Sequence, residues 1–161
     1  MIYGSISHGN KGPLIVFEKD WSTELGYTKK TINSDVYCIY ICPNIKAFAW
    51  ELWQTLQYQP ILVEDNASIY SAKVTRLAWE QNGMLIIEWP ANSPDLNLIE
   101  NIWRLLKGRI QRRFPTTKEE VRRYAEEEWE KLEPEEFEKY TGNMRERCLA
   151  VIAADGGLTK Y

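Results

Sequence analysis

Hydrophobic positions along this chain change their period several times, and each change marks an element. Apolar and small residues run through 3–7 (YGSIS), stop at 8–12 (HGNKG) and return at 13–17 (PLIVF). Two short runs around Gly, Asn and Lys predict a hairpin. Residues 21–31 show no period and read as loop. Asn33, Ser34 and Asp35 supply a helix cap ahead of residues 36–41 (VYCIYI), although that composition alone fits a strand equally well. Pro43 ends the segment, and Asn44 is placed to cap a second helix reaching about residue 57. Its apolar face is expected to hold Ala47, Phe48, Trp50, Leu52 and Leu56.

Residues 60–63 (PILV) form a continuous apolar run that reads as a buried strand, with Asp65 just beyond it. Residues 71–81 read as a helix with Val74, Leu77 and Ala78 inward, closed by Asn82-Gly83. Residues 84–87 (MLII) are the next strand, ended by Pro90. Strand, helix and strand at this spacing make a βαβ unit, so the two strands should be parallel.

The clearest helix begins at Leu98, where Ile99, Ile102, Trp103, Leu106 and Ile110 fall on one apolar stripe. Glu100, Arg104, Lys107 and Gln111 form a second stripe, about 110° away. Phe114-Pro115 ends that helix, and residues 117–120 (TKEE) read as a capping box opening an acidic helix to about residue 132. Pro134 opens a short helix, and a last one runs from Asn143 to about Ala153 with Met144, Cys148, Val151 and Ile152 inward. Strands early and helices over about 116–161 predict an α/β domain.

Composition narrows the picture. A chain of 161 residues with 44% hydrophobic content builds one substantial core, so a single domain spanning 1–161 is expected. The net charge of −3 carries no global basic signature, but charge is sorted along the chain. Residues 100–123 hold eight Lys/Arg against three Glu, and residues 124–139 hold eight Glu against two Lys. The first stretch is suited to holding phosphates or, equally, to being a solvated helix face. Three cysteines without a CxxC pair and the single His8 exclude a zinc ligand set. No signal-peptide pattern and no membrane-length apolar run are present, and the cysteine usage fits a reducing intracellular compartment.

Two acids stand where chemistry gathers in α/β folds. Asp65 lies past the carboxyl end of a strand, Glu100 opens the clearest helix, and 34 residues separate them. Taken singly, Asp65-Asn66 is a common turn pair and Asn97-x-x-Glu100 a plausible capping pair. Taken together, the spacing and the words DNAS and SPDLNLIENIW resemble the catalytic core of mariner-superfamily DDE transposases, in particular the Tc branch. That resemblance covers about residues 3–161.

The resemblance implies an RNase H-like mixed sheet with flanking helices, and a helix rather than a strand at 36–41. It implies that the chain starts after the family's first strand and its first catalytic aspartate, as an N-terminally truncated catalytic domain. Asp65 and Glu100 are then the expected catalytic residues and the ligands of Mg²⁺ or Mn²⁺. Arg104, Lys107, Arg109 and Arg112 are expected on DNA phosphates, with Arg113 extending that path. The implied activity is metal-dependent DNA strand cleavage and transfer, impaired in the isolated chain. The rival expectation is a non-catalytic remnant that binds DNA or a partner. DNA, a second copy or a full-length transposase are the implied partners, and the nucleus is the implied location. Asp95 is expected to shape the loop before the helix, and Glu64 to point away from Asp65. Two positions depart from the family pattern: Tyr70 stands where histidine is usual, and Leu98 where proline is usual.

Overall fold

The computed structural model describes residues 1–18, 20–90 and 93–161. Strands β1 (Ile2–Ser7) and β2 (Asn10–Val16) pair as a hairpin around His8-Gly9, tighter than the five-residue loop expected. Gly9 has φ +66, a left-handed conformation that glycine adopts without steric cost. A one-turn helix α1 (Trp21–Glu24) replaces the expected loop. Its anchor is aromatic: the Trp21 ring stacks on Tyr40 with centroids 4.4 Å apart.

Helix α2 (Ser34–Tyr40) settles the ambiguous segment as helix, with Asn33 Oδ1 accepting the Val36 N–H at 2.9 Å. In α3 (Cys42–Leu56) Pro43 sits in the first turn, where its missing N–H costs nothing, so it opens the helix rather than breaking the chain. Asn44 is not the cap; its amide instead donates to Tyr40 O at 2.9 Å. The inward face is Cys42, Ile45, Ala49 and Leu52, so of the five expected residues only Leu52 is buried.

Strand β3 (Ile61–Leu62) is followed by one turn, α4 (Ser68–Ser71), then α5 (Lys73–Gln81) and β4 (Leu85–Ile86). The strands pair in parallel, Ile61 with Leu85 and Leu62 with Ile86, as the βαβ reading requires. They are shorter and less covered than expected, and Ile61 is 59% exposed. Helix α5 turns Thr75 and Trp79 inward rather than Val74 and Leu77, which are exposed. Thr75 buries its hydroxyl at no loss because it donates to Ile69 O at 2.6 Å.

A 3₁₀ turn (Pro94–Leu96) precedes α6 (Ile99–Gln111), α7 (Lys118–Glu130), α8 (Pro134–Thr141) and α9 (Met144–Ala153). Loop positions Ala91 and Asn92 lie outside the described residues. The predicted capping box forms at α7: Thr117 Oγ1 accepts the Glu120 N–H at 3.1 Å while the Glu120 carboxylate accepts the Thr117 N–H. On α9 the buried residue is Arg147, not the expected apolar set; Ile152 is exposed.

The chain divides into two compact units. The first, Met1–Tyr3 with Ile15–Ala91, has a core of Phe17, Val36, Tyr37, Ile41, Cys42, Ile45 and Trp79. Each aliphatic side chain buried there contributes about 1.5–3 kcal/mol. The second, Gly4–Leu14 with Asn92–Tyr161, is built on the apolar stripe of α6 and the rings of Trp103, Trp129 and Phe137. Trp129 Nε1 donates to Gly12 O at 3.1 Å. Gly4 is held to glycine by this packing, because a Cβ there would lie 2.7 Å from the Trp103 ring.

Candidate functional site

In the first unit the chain past β3 splits two neighbouring carboxylates. Glu64 turns inward and away from Asp65 as expected, although β3 itself ends at Leu62. Its carboxylate accepts a short hydrogen bond from the Tyr37 hydroxyl and one from Trp79 Nε1 at 3.3 Å. Burial pushes the Glu64 carboxyl up to about 7; the Tyr37 and Trp79 hydrogen bonds offset only part of that cost. The same burial raises the phenols of Tyr37, Tyr3 and Tyr70 above their ordinary range.

Asp65 faces solvent. Its Oδ1 accepts the Ala67 N–H at 2.9 Å, which makes the expected local turn and fixes the carboxylate's direction. Asn66 donates to Trp89 O at 2.7 Å and so ties this loop to the segment after β4. Tyr70, in place of the family's histidine, is half-buried against Tyr37 with ring centroids 5.0 Å apart. It fills the core instead of offering a ligand.

In the second unit Glu100 lies exposed in the first turn of α6. The capping pair with Asn97 does not form: no side chain caps this helix, and the Glu100 N–H goes to the Asn97 backbone oxygen at 3.1 Å. The carboxylate is thereby left for another partner. Leu98 adopts φ −59, close to the angle proline would preset, so the substitution leaves the helix entry intact.

Glu100, Arg104, Lys107 and Gln111 form an exposed stripe along α6, as their spacing predicts. Arg104, Lys107 and Arg112 make no ion pair among the described residues. Arg109 is different: it ion-pairs with Glu136 of α8. Arg113 likewise bonds Glu128 at 3.0 Å and sits over the Tyr124 ring at 3.7 Å. The acidic stretch thus neutralises the inner cations and leaves the outer ones open.

Asp65 belongs to the first unit and Glu100 to the second. Among the described residues no three His, Cys, Asp or Glu side chains converge on one point. The donor chemistry of the two acids nonetheless fits a hard divalent ion: both are exposed carboxylates with oxygen lone pairs uncommitted. Sequence reasoning turned Glu64 away from Asp65 but missed its Tyr37 and Trp79 partners, and it missed the buried Arg147 altogether. Only the i, i+4 spacing of Asn143 and Arg147 hinted at the latter; they bond at 2.8 Å.

Comparisons with known proteins agree with this architecture. The family model described as DDE superfamily endonuclease matches residues 4–122. The Tc1 transposase of Caenorhabditis elegans is 29% identical over 101 residues, 63% of this chain and 37% of that protein. The Tcb1 transposase of Caenorhabditis briggsae is 24% identical over 161 residues, all of this chain and 54% of that protein. The chain therefore spans about half or less of these relatives. Among solved structures, the Mos1 transposase catalytic domain with raltegravir and magnesium superposes with a TM-score of 0.71 at 20% identity, covering 81% of this chain and 66% of that one. The fold is thus the RNase H-like mixed α/β type. The chain belongs to the DDE superfamily endonucleases, and it is similar to the Tc1 and Tcb1 transposases and to the Mos1 catalytic domain. No helix among the described residues is long and apolar enough to cross a membrane.

Proposed function

We propose that this chain is part of a transposase catalytic domain, one that performs metal-dependent DNA cleavage and strand transfer. Asp65 and Glu100 are its catalytic carboxylates. The observation that carries the reading is their placement: each is exposed, one fixed at a strand end and the other uncapped on a first helical turn. Bound Mg²⁺ or Mn²⁺ supplies an activated water and stabilises the leaving oxygen of the phosphodiester. Asp65 and Glu100 would each offer a carboxylate to such an ion, and the Ala67 N–H directs the Asp65 carboxylate. Arg104 and Lys107 grip phosphates along the stripe that starts at Glu100, Arg112 does so just past the end of α6, and Arg109 contributes less while Glu136 holds it. Two carboxylates hold a two-metal pair poorly, so this chain by itself cuts DNA weakly or not at all. Nuclear residence and pairing with a second copy or a longer transposase accompany the reading.

The second reading, a DNA-binding module without chemistry, is favoured by the same open cations. Mn²⁺-dependent nicking of supercoiled plasmid separates the two. Nicking that disappears in both Asp65→Ala and Glu100→Ala assigns the chemistry to these acids and overturns the impairment. No nicking by a protein that is folded by circular dichroism, yet retains DNA in a gel shift, selects the binding module.

A further inference from the structure

Arg147 is 2% exposed, and a buried guanidinium is costly unless its donors are used. Here they are. Nε donates to Asn143 Oδ1 at 2.8 Å and Nη1 to the backbone oxygen of Asp95 at 2.7 Å. The guanidinium also stands over the Tyr161 ring, 4.7 Å from its centroid. The Asp95 carboxylate accepts the Thr159 N–H at 2.9 Å, and the Tyr161 N–H returns to Thr159 Oγ1 at 3.2 Å. Thr159 is therefore bonded back onto the Pro94–Leu96 turn, and Tyr161 onto Thr159.

That turn leads directly to Glu100. The Asn97 N–H bonds Pro94 O at 3.0 Å, and the Glu100 N–H bonds Asn97 O at 3.1 Å. Since no side chain of its own caps α6, the direction of its first turn has to be set from outside the helix. Arg147 grips Asp95 by its carbonyl and Thr159 grips it by its carboxylate, so one residue receives both holds.

We propose that Arg147 and the Thr159 amide are positioning groups: they clamp the turn through Asp95 and so aim Glu100. The consequence for metal rests on the reading of Glu100 as a ligand; the clamp itself does not. The test uses the whole 161-residue chain, with two readouts. Hydrogen exchange is followed at the Asn97, Glu100 and Asn101 amides, and Mn²⁺ binding by water-proton relaxation, with Glu100→Gln marking the Glu100-dependent part. Thr159→Pro deletes the amide donor, Arg147→Lys keeps the charge but loses the fork, and Thr159→Ser keeps every bond. In the first two, exchange at those amides rises and Glu100-dependent Mn²⁺ affinity falls about tenfold or more, while Thr159→Ser matches the parent. Arg147→Lys decides the matter should Thr159→Pro not fold. Unchanged exchange overturns the clamp, and faster exchange with unchanged Glu100-dependent affinity overturns its positioning role. Parent Mn²⁺ binding indifferent to Glu100→Gln removes the metal reading instead, and exchange alone then decides the clamp.

Discussion

Glu64 and Asp65 are chemically alike and adjacent, yet the fold gives them opposite work. Past the end of β3 the chain sends one inward to Tyr37 and Trp79 and the other out to solvent. The inward carboxyl, raised to about 7 from an ordinary 4.5, binds its proton more tightly folded than unfolded. Its contribution to stability is therefore complete below about pH 4.5 and is lost as pH rises through about 7. The loss is of the order of 3 kcal/mol, since a tenfold change in proton affinity between the folded and unfolded chain is worth about 1.4 kcal/mol. Glu64→Gln keeps an acceptor for Tyr37 but cannot ionise. Chemical denaturation in the presence of a chelator should show the parent weakening between pH 5 and about 8 while the variant stays flat over that window. A parent that is equally stable at both ends would remove burial as the governing influence on this group. Tyr70 belongs to the same cluster, which is why a tyrosine at the family's histidine position is accommodated: it trades a polar ring for core contact.

At the scale of elements, three local signals held and two did not, the Asn44 cap and the Asn97–Glu100 pair. The Thr117 box, the Asn33 cap and the parallel βαβ pair all form as their residues predict. Thr117→Ala removes the acceptor for the Glu120 N–H and should cost about 1 kcal/mol, read as a lowered thermal midpoint. Thr117→Ser should restore it, and equal midpoints for all three proteins would show the box to be idle. What the pattern could not supply was which face of a short helix turns inward. In α5 and α9 several apolar residues compete, and those that turn inward meet partners outside their own helix: Trp79 the Glu64 carboxylate, Thr75 Ile69 O, Arg147 Asp95 O. Buried polar groups whose bonds are satisfied at a distance leave no periodic trace. The candidate acids were legible for the opposite reason. Asp65 and Glu100 are marked by their spacing and by the turn chemistry around them, and the structure leaves both exposed. The false capping pair at Asn97 shows the limit: a short motif states an option, and the Pro94–Leu96 turn ahead of the helix chose another.

For the molecule as a whole, a net charge of −3 conceals a division of labour among its cations. The acidic helices take up Arg109 through Glu136 and Arg113 through Glu128, while Arg104 and Lys107 on α6 and Arg112 at its end stay open. Counterion release makes the two groups separable by salt. Each phosphate neutralised adds about 0.9 to the slope of log affinity against log salt on duplex DNA. Replacing Arg104, Lys107 and Arg112 together with alanine should flatten that slope by about 2–3 and weaken binding at every sequence tested. Arg109→Ala should leave the slope nearly unchanged and lower the thermal midpoint instead, because its charge is spent inside the fold. Fluorescence anisotropy of a labelled duplex across a salt series measures both. A triple variant with the parent's slope would move the phosphate contacts off α6. A flattened slope in Arg109→Ala would mean that DNA competes Glu136 away from its arginine, which converts that ion pair from a structural contact into one exchanged on binding.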